Sequence, residues 1–374
     1  MNLLKKIGII TFHNSYNCGS MLESYAIQTY INKSIGDAEI INYSSEGQKE
    51  LYSVYEENNS IKKIIKNLLI FPHNKKVKLN NKKYEEFKNN NFILSEPVTE
   101  KTINDNSYYA VVAGSDQIWN VTIPDYNDVY LLPWVKKAKK VAYSPSFGAK
   151  NPIKYYNCIT HFIEMLKSFD NLSIREFNGR TWIKDMLQID VPVLLDPTLL
   201  LERSDYDKIE DSTFNISEKY IFFYSPAFNR DICKFVKKIS DKYHLKVITW
   251  STKSYYYKFI KQFGFVLPEY ESPAVYLNLI KNAELVLTTS YHGTIFSSIY
   301  KKKFFTIKNG GMYGDDDRVM TLLEQLDMKD FLITYDFKDS FNYLREPNYS
   351  SYDRKIEKLK SQSFKYLKES LQGQ

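Results

Sequence analysis

Lys6-Ile-Gly-Ile-Ile-Thr-Phe12 is a short apolar run rich in β-branched residues, and its reading decides the fold. A run of this kind suits a strand buried on both faces of a parallel sheet. It passes into His13-Asn-Ser-Tyr-Asn-Cys-Gly-Ser20, a cluster of turn formers. Met21-Leu-Glu-Ser-Tyr-Ala-Ile-Gln-Thr-Tyr-Ile31 then carries apolar residues at helical spacing, and Glu39-Ile-Ile-Asn-Tyr43 reads as a second strand. A β-loop-α-β opening predicts a doubly wound α/β sheet.

The alternation continues outward from there. Tyr109-Ala-Val-Val-Ala113, Lys140-Val-Ala-Tyr-Ser144, Leu172-Ser-Ile174 and Val191-Pro-Val-Leu-Leu195 read as further strands of the first half. Polar and charged residues cluster over 200–218, and the pattern then restarts. Tyr220-Ile-Phe-Phe-Tyr224, Lys246-Val-Ile-Thr-Trp250, Glu284-Leu-Val-Leu-Thr-Thr289 and Phe304-Phe-Thr-Ile307 are strands, with helices expected over 231–243 and 273–282. The division expected is 1–205, 206–345 and a helix over 346–374 that crosses back to the first domain. Two α/β domains facing a cleft is the predicted arrangement.

Composition narrows the function classes. The chain has 374 residues, 43% hydrophobic and 25% charged, which is the balance of a globular protein. No apolar run approaches the ~18–20 residues that span a bilayer. The first apolar stretch is too short for a signal-peptide core, so a cytoplasmic protein is expected. A net charge of +7 fits acidic small molecules or an anionic membrane surface and does not argue for nucleic acid. Cys18, Cys158 and Cys233 are scattered, with no CxxC and no HExxH, so neither a disulfide framework nor a metal site is expected.

Ile61, Ile64, Ile65, Leu68 and Leu69 fall at helical spacing, with Lys62, Lys63 and Lys66 between them. The ordinary reading is a core-facing helix with a solvated lysine face. The other is a basic amphipathic helix lying on the inner membrane surface.

Four polar loops follow buried strands. Ser290-Tyr-His-Gly-Thr294 sits at a strand-to-helix turn, where backbone N–H groups favour an anion and Gly293 permits close approach. His292 can donate to a phosphate or move a proton near neutral pH, or it can satisfy a buried group. Arg175, before Glu176, can grip a carboxylate or phosphate with two parallel hydrogen bonds, or pair locally with its neighbour. Gly114-Ser-Asp-Gln-Ile-Trp-Asn120 combines hydrogen-bonding side chains with one large ring, the mixture a sugar site needs; the alternative for Trp119 is core packing. Asn14 and Asn17 lie in the first loop. Arg318 follows Gly310-Gly-Met-Tyr-Gly-Asp-Asp-Asp317 and is either neutralised by the aspartates or free to swing over an anion.

Taken in order, Gly8-Ile-Ile-Thr-Phe-His-Asn14 with Asn17-Cys-Gly19, Gly114 to Asn120, Ser146-Phe-Gly148, Ser173-Ile-Arg-Glu176, Leu195-Asp-Pro-Thr198 and Thr289-Ser-Tyr-His-Gly-Thr294 resemble the polysaccharide pyruvyl transferase family, over about residues 7–326. The resemblance implies a GT-B-like fold, two Rossmann-type domains facing a central cleft. It implies transfer of pyruvate from phosphoenolpyruvate to a sugar, usually as a cyclic ketal, in the assembly of surface polysaccharides. Some members use lipid-linked acceptors. It places phosphoenolpyruvate on Arg175, His292 and Arg318, with Ser290, Gly293 and Thr294 at the same turn. His292 is then the candidate acid, Asp116 or Glu176 the candidate base, and Asn14, Asn17, Gln117 and Trp119 the acceptor side. No cofactor and no metal are required. Two other readings stay open: a nucleotide-sugar glycosyltransferase of the same architecture, and a non-catalytic glycan-binding protein of a polysaccharide-assembly complex.

Overall fold

A computed structural model describes residues 6–309 and 316–372. The chain forms two compact units, each built from separate stretches. Residues 6–52, 90–201 and 355–372 make the first, and 53–89 with 202–354 make the second.

In the first unit β1 (Lys6–Ile10), β2 (Ala38–Ile40), β3 (Tyr108–Ala113) and β4 (Lys139–Ala142) are all parallel, in the order β2-β1-β3-β4. The expected strands at 172–174 and 191–195 reduce to single bridges, Ile174 with Val193 and Val141 with Asn171. Pro192 carries no N–H for a ladder, so the run cannot extend as a strand.

In the second unit β5 (Tyr220–Tyr224), β6 (Lys246–Thr249), β7 (Leu285–Thr288), β8 (Phe304–Ile307) and β9 (Leu332–Ile333) run parallel in the order β6-β5-β7-β8-β9. Both sheets therefore begin with a strand whose two neighbours are its successor and the strand after that. In such sheets the connections diverge at one crevice, between β1 and β3 in the first unit and between β5 and β7 in the second. This two-unit, parallel α/β construction is that of the GT-B-like class.

Each unit has its own apolar core. Ile10, Val111, Trp119, Tyr130, Phe147 and Ile174 belong to the first; Ile221, Phe223, Val236, Leu285 and Ile307 belong to the second. The strands are buried on both faces because helices cover both sides of a parallel sheet, which is why they read as unbroken apolar runs.

Residues 53–89 depart from the expected 1–205 domain and belong to the second unit. The reason is a set of polar anchors far away in sequence. Within the helix Asn74–Asn91, the Asn80 amide donates to Thr252 Oγ1 at 2.9 Å and accepts from Glu271 N at 2.9 Å. Lys76 Nζ donates to the Pro268 carbonyl, and the His73 ring stacks on Tyr256 with centroids 3.4 Å apart.

The helix Ile61–Ile70 also departs from the ordinary reading of a core-facing apolar stripe. Lys66, Asn67 and Ile70 face the unit, while Ile61, Ile64, Ile65 and Leu68 are exposed. At the other end of the chain, the helix Ser350–Leu371 packs on the first unit from residue 355 onward. Tyr366 Oη donates to Ala142 O at 2.9 Å, and Leu195 N donates to Ser363 Oγ at 3.4 Å. Among the described residues no helix is long and apolar enough to cross a membrane.

Candidate active site

In the first unit the loops after β1 and β3 meet at the crevice. Asn17 caps the helix Cys18–Ser34, its side chain accepting from Gly19 N at 2.9 Å, and Asn14 Nδ2 donates to Ser44 Oγ at 3.1 Å. Both are only half-buried, so their edges still reach solvent. Gly114 opens the second loop at φ +155°, and a Cβ there would lie 2.1 Å from the Tyr143 carbonyl oxygen, so glycine is required. Asp116 follows in the left-handed region at φ 62°.

Asp116 is the centre of a buried charge cluster. Ser20 Oγ donates to its Oδ2 at 2.5 Å, and Arg175 Nη2 lies 3.6 Å from its Oδ1. The other side of the guanidinium donates to Asp196 Oδ2 at 2.7 Å. Asp196 is held in turn, its Oδ1 accepting from Thr198 N at 3.0 Å and Thr198 Oγ1 at 2.6 Å. Glu23 completes the set, fully buried, accepting from Ser115 N at 2.7 Å. Burial first, then the charges of Asp196 and Asp116, push the Glu23 carboxyl well above the usual carboxylate range, while Arg175 opposes them. Nearby, burial and the Asp116 charge push Asp125 up to about 6.

Three expectations for this unit change. Trp119 is wholly buried in the core against Phe147 and Phe169, and its Nε1–H donates to Tyr130 O at 3.2 Å. It presents no face to a sugar; a large ring in a polar loop is accommodated here by folding the loop over it. Glu176 is also wholly buried. Its Oε1 accepts from Phe147 N at 2.7 Å and Ser146 Oγ at 3.1 Å, so it pins the 146–148 loop rather than facing an acceptor. Arg175 is 2% exposed and clamped between two carboxylates, a poor posture for gripping a donor. Gln117, by contrast, keeps partial exposure, with its Oε1 accepting from Asn120 Nδ2 at 3.0 Å.

In the second unit the corresponding crevice is lined by the ends of β5 and β7. Ser225 and Thr289 join hydroxyls across it at 2.8 Å. Ser290 caps the helix Tyr291–Ile299, its Oγ accepting from Gly293 N at 3.3 Å. His292 stands in the first turn and is 8% exposed. Gly293 packs against β7 so closely that a Cβ would lie 2.2 Å from Thr288 Oγ1. Thr294 leaves the expected donor set. Its hydroxyl donates to Ser290 O at 3.0 Å and meets Thr306 Oγ1 at 2.7 Å, wholly buried, so it fastens the helix to β8.

Arg318, in the first turn of the helix Asp317–Gln325, is buried with both Nε and Nη2 on Asp316 Oδ2. That is the neutralised posture rather than the swinging one. The glycine loop preceding it, 310–315, lies outside the described residues. Among the described residues no three His, Cys, Asp or Glu groups converge to hold a metal ion.

Sequence reasoning assigned no role to Glu23, Asp125, Ser225 or Thr289, although Thr289 opens one of the quoted motifs. Glu23 lies between Leu22 and Ser24 in a helix and carries no motif, and the two hydroxyls become partners only when β5 and β7 pair.

A family model described as polysaccharide pyruvyl transferase matches residues 17–311, a span that includes Asp116, Arg175 and His292 and stops short of Arg318. No protein of curated function gives a significant match. Among solved structures, the UDP-GlcNAc 2-epimerase of Neisseria meningitidis bound to UDP-GlcNAc is 10% identical, with a TM-score of 0.47 over 96% of this chain and 99% of that one. The UDP-N-acetylglucosamine 2-epimerase of Rickettsia bellii is 12% identical, with a TM-score of 0.47 over 98% of each chain. The E. coli heptosyltransferase WaaC with ADP-2-deoxy-2-fluoro heptose is 10% identical, with a TM-score of 0.39 over 85% of this chain and 99% of that one. Likenesses this distant say nothing of the reaction.

Proposed function

The chain belongs to the polysaccharide pyruvyl transferase family, and we propose that it transfers pyruvate from phosphoenolpyruvate to a sugar of a surface-polysaccharide precursor, as a ketal on two hydroxyls. The family match over 17–311 carries this reading. Support from geometry comes from His292, a proton carrier in the first turn of a helix at the crevice of the second unit. Such a turn suits an anion, and the donor has both a phosphate and a carboxylate.

The reaction needs three services. A proton must reach the methylene carbon as the C=C electron pair takes it up. One sugar hydroxyl must bond to the neighbouring carbon and lose its proton. The second hydroxyl must then bond to that same carbon and give up its proton to the phosphate, which leaves with its bonding pair. In this reading His292 lies against the donor phosphate and supplies the proton. Asp116 is the base, and Ser20 and Arg175 hold it in place. Asn14, Asn17 and Gln117 hydrogen-bond the acceptor. Arg175 is thus a positioning residue, with Ser290 and Gly293 shaping the turn that presents His292. No cofactor or metal enters this scheme. Phosphoenolpyruvate is made in the cytosol, and on this reading the protein works there, on a sugar precursor before export.

The test is calorimetric titration with phosphoenolpyruvate beside a panel of nucleotide sugars, followed by phosphate release with candidate acceptors. Expected is phosphoenolpyruvate binding that His292→Ala weakens, with an unchanged melting temperature. Binding of a nucleotide sugar in its place overturns the reading. So does wild-type phosphate release by His292→Ala.

A further inference from the structure

An amphipathic helix on a globular surface ordinarily turns its apolar stripe inward, since burying that stripe is what holds it there. The helix Ile61–Ile70 does the reverse. Ile61 is 78% exposed, Leu68 68% and the following Phe71 64%, with Ile64 and Ile65 exposed between them. The inward side carries the buried Ile70 and a set of polar contacts. Lys66 Nζ pairs with Glu56 at 2.9 Å and lies over the Tyr257 ring, and Asn67 Nδ2 donates to Glu56 O at 2.7 Å. Asn67 Oδ1 accepts from Glu56 N at 3.0 Å. Ser60 caps the start, accepting from Lys63 N at 3.3 Å. A shallow hollow of about 290 Å³ opens beside the exposed stripe, lined by Tyr55, Ile64, Leu68 and Phe71 among others. Contiguous exposed apolar groups of this size mark an interaction surface.

Charge indicates what covers it. Residues 53–89 hold nine lysines against four glutamates, net +5. Three of the glutamates are already paired: Glu56 with Lys66, Glu85 with Lys88 and Glu86 with Lys83. Lys62, Lys75 and Lys78 are exposed and make no ion pair among the described residues, leaving Glu57 as the opposing exposed acid. We propose that the stripe Ile61–Ile64–Ile65–Leu68–Phe71 inserts into the interface of an anionic lipid bilayer, with Lys62, Lys75 and Lys78 over the headgroups. Exposed apolar residues in a lysine-rich segment are the composition that surfaces of this kind take up. A second copy of the chain fits less well, because two-fold pairing of this face sets its lysines against each other.

The experiment is flotation of the purified full chain with phosphatidylcholine vesicles, with and without phosphatidylglycerol, alongside sedimentation velocity of the protein alone. Expected is binding to the anionic vesicles only, weakened by salt. The Ile65→Glu, Leu68→Glu double variant loses that binding. Neutralising Lys62, Lys75 and Lys78 to Gln weakens it by about fivefold per lysine. All substituted residues lie on the surface, so circular-dichroism melts should match the wild type. Three results overturn the proposal: wild-type protein that stays unbound at low salt, a double glutamate variant that still floats, or a wild-type dimer that this variant splits without any vesicle binding. None of these outcomes depends on what the active site does.

Discussion

Arg175 and Asp196 are joined at 2.7 Å with both side chains almost entirely out of solvent. The guanidinium opposes a set of buried carboxylates that also includes Asp116 and Glu23. Removing the arginine alone leaves buried carboxylates without their counter-charge, an error that costs about 3–5 kcal/mol. Arg175→Ala should therefore lower the urea midpoint sharply. Arg175→Gln with Asp196→Asn, a neutral hydrogen-bonded replacement, should cost much less than the sum of the single changes. Additive single losses in a double-mutant cycle would show that the two residues do not act as one unit.

Gly293 offers a test of packing at the His292 turn. Gly293→Ala puts a methyl group 2.2 Å from Thr288 Oγ1, which itself donates to Tyr224 O and accepts from Ser290 N. We expect a loss of about 1–3 kcal/mol, the range for overpacking. Adding Thr288→Ala should recover part of it. An alanine variant as stable as wild type would mean the helix can lift away from β7 at no cost.

The Glu271 carboxyl is buried, and burial pushes it up to about 7 against the lowering effect of its Thr252 bonds. The unfolded chain releases that proton near the ordinary value of 4.5. Between those values the folded state binds the extra proton, so stability falls as pH rises through the window and the loss is complete above about 7. Glu271→Gln keeps an acceptor for Thr252 and removes the titration. Its stability relative to wild type should climb from pH 5 to pH 8, by up to about 3 kcal/mol. Parallel pH profiles for the two proteins would refute this.

Trp119→Phe separates core from site. It removes the bond to Tyr130 O and leaves a gap among Phe147 and Phe169. A stability loss of about 1–3 kcal/mol is expected with acceptor KM unchanged. A raised KM with an unchanged melt would return Trp119 to the acceptor side.

What the sequence discloses here depends on the range of the interaction. β1, β3, β5 and β7 are legible because burial on both faces writes an unbroken apolar run. The turn at Ser290–His292 is legible because cap, glycine and histidine are neighbours in the chain. The membership of 53–89 is not, because it rests on Asn80 meeting Thr252 and Glu271, residues far downstream. Periodicity finds both faces of the helix Ile61–Ile70 but carries no sign of which one turns inward; Glu56, outside the helix, decides that. The postures of Arg175 and Arg318 are open in the sequence for the same reason: an arginine in a motif reads identically whether it awaits a ligand or is already clasped by an aspartate.

The chain passes between its two units at residues 52–53, 89–90, 201–202 and 354–355. During synthesis on the ribosome, the early strands emerge long before the helix that closes over them. Tyr366 and Ser363, which fasten that helix to Ala142 and Leu195, leave the exit tunnel only after the whole second unit has been made. A nascent first unit therefore waits with part of its apolar surface uncovered until the second unit's residues have been added to the chain. Growth from amino to carboxyl end thus inverts the order of completion: the unit begun first is the last to be finished.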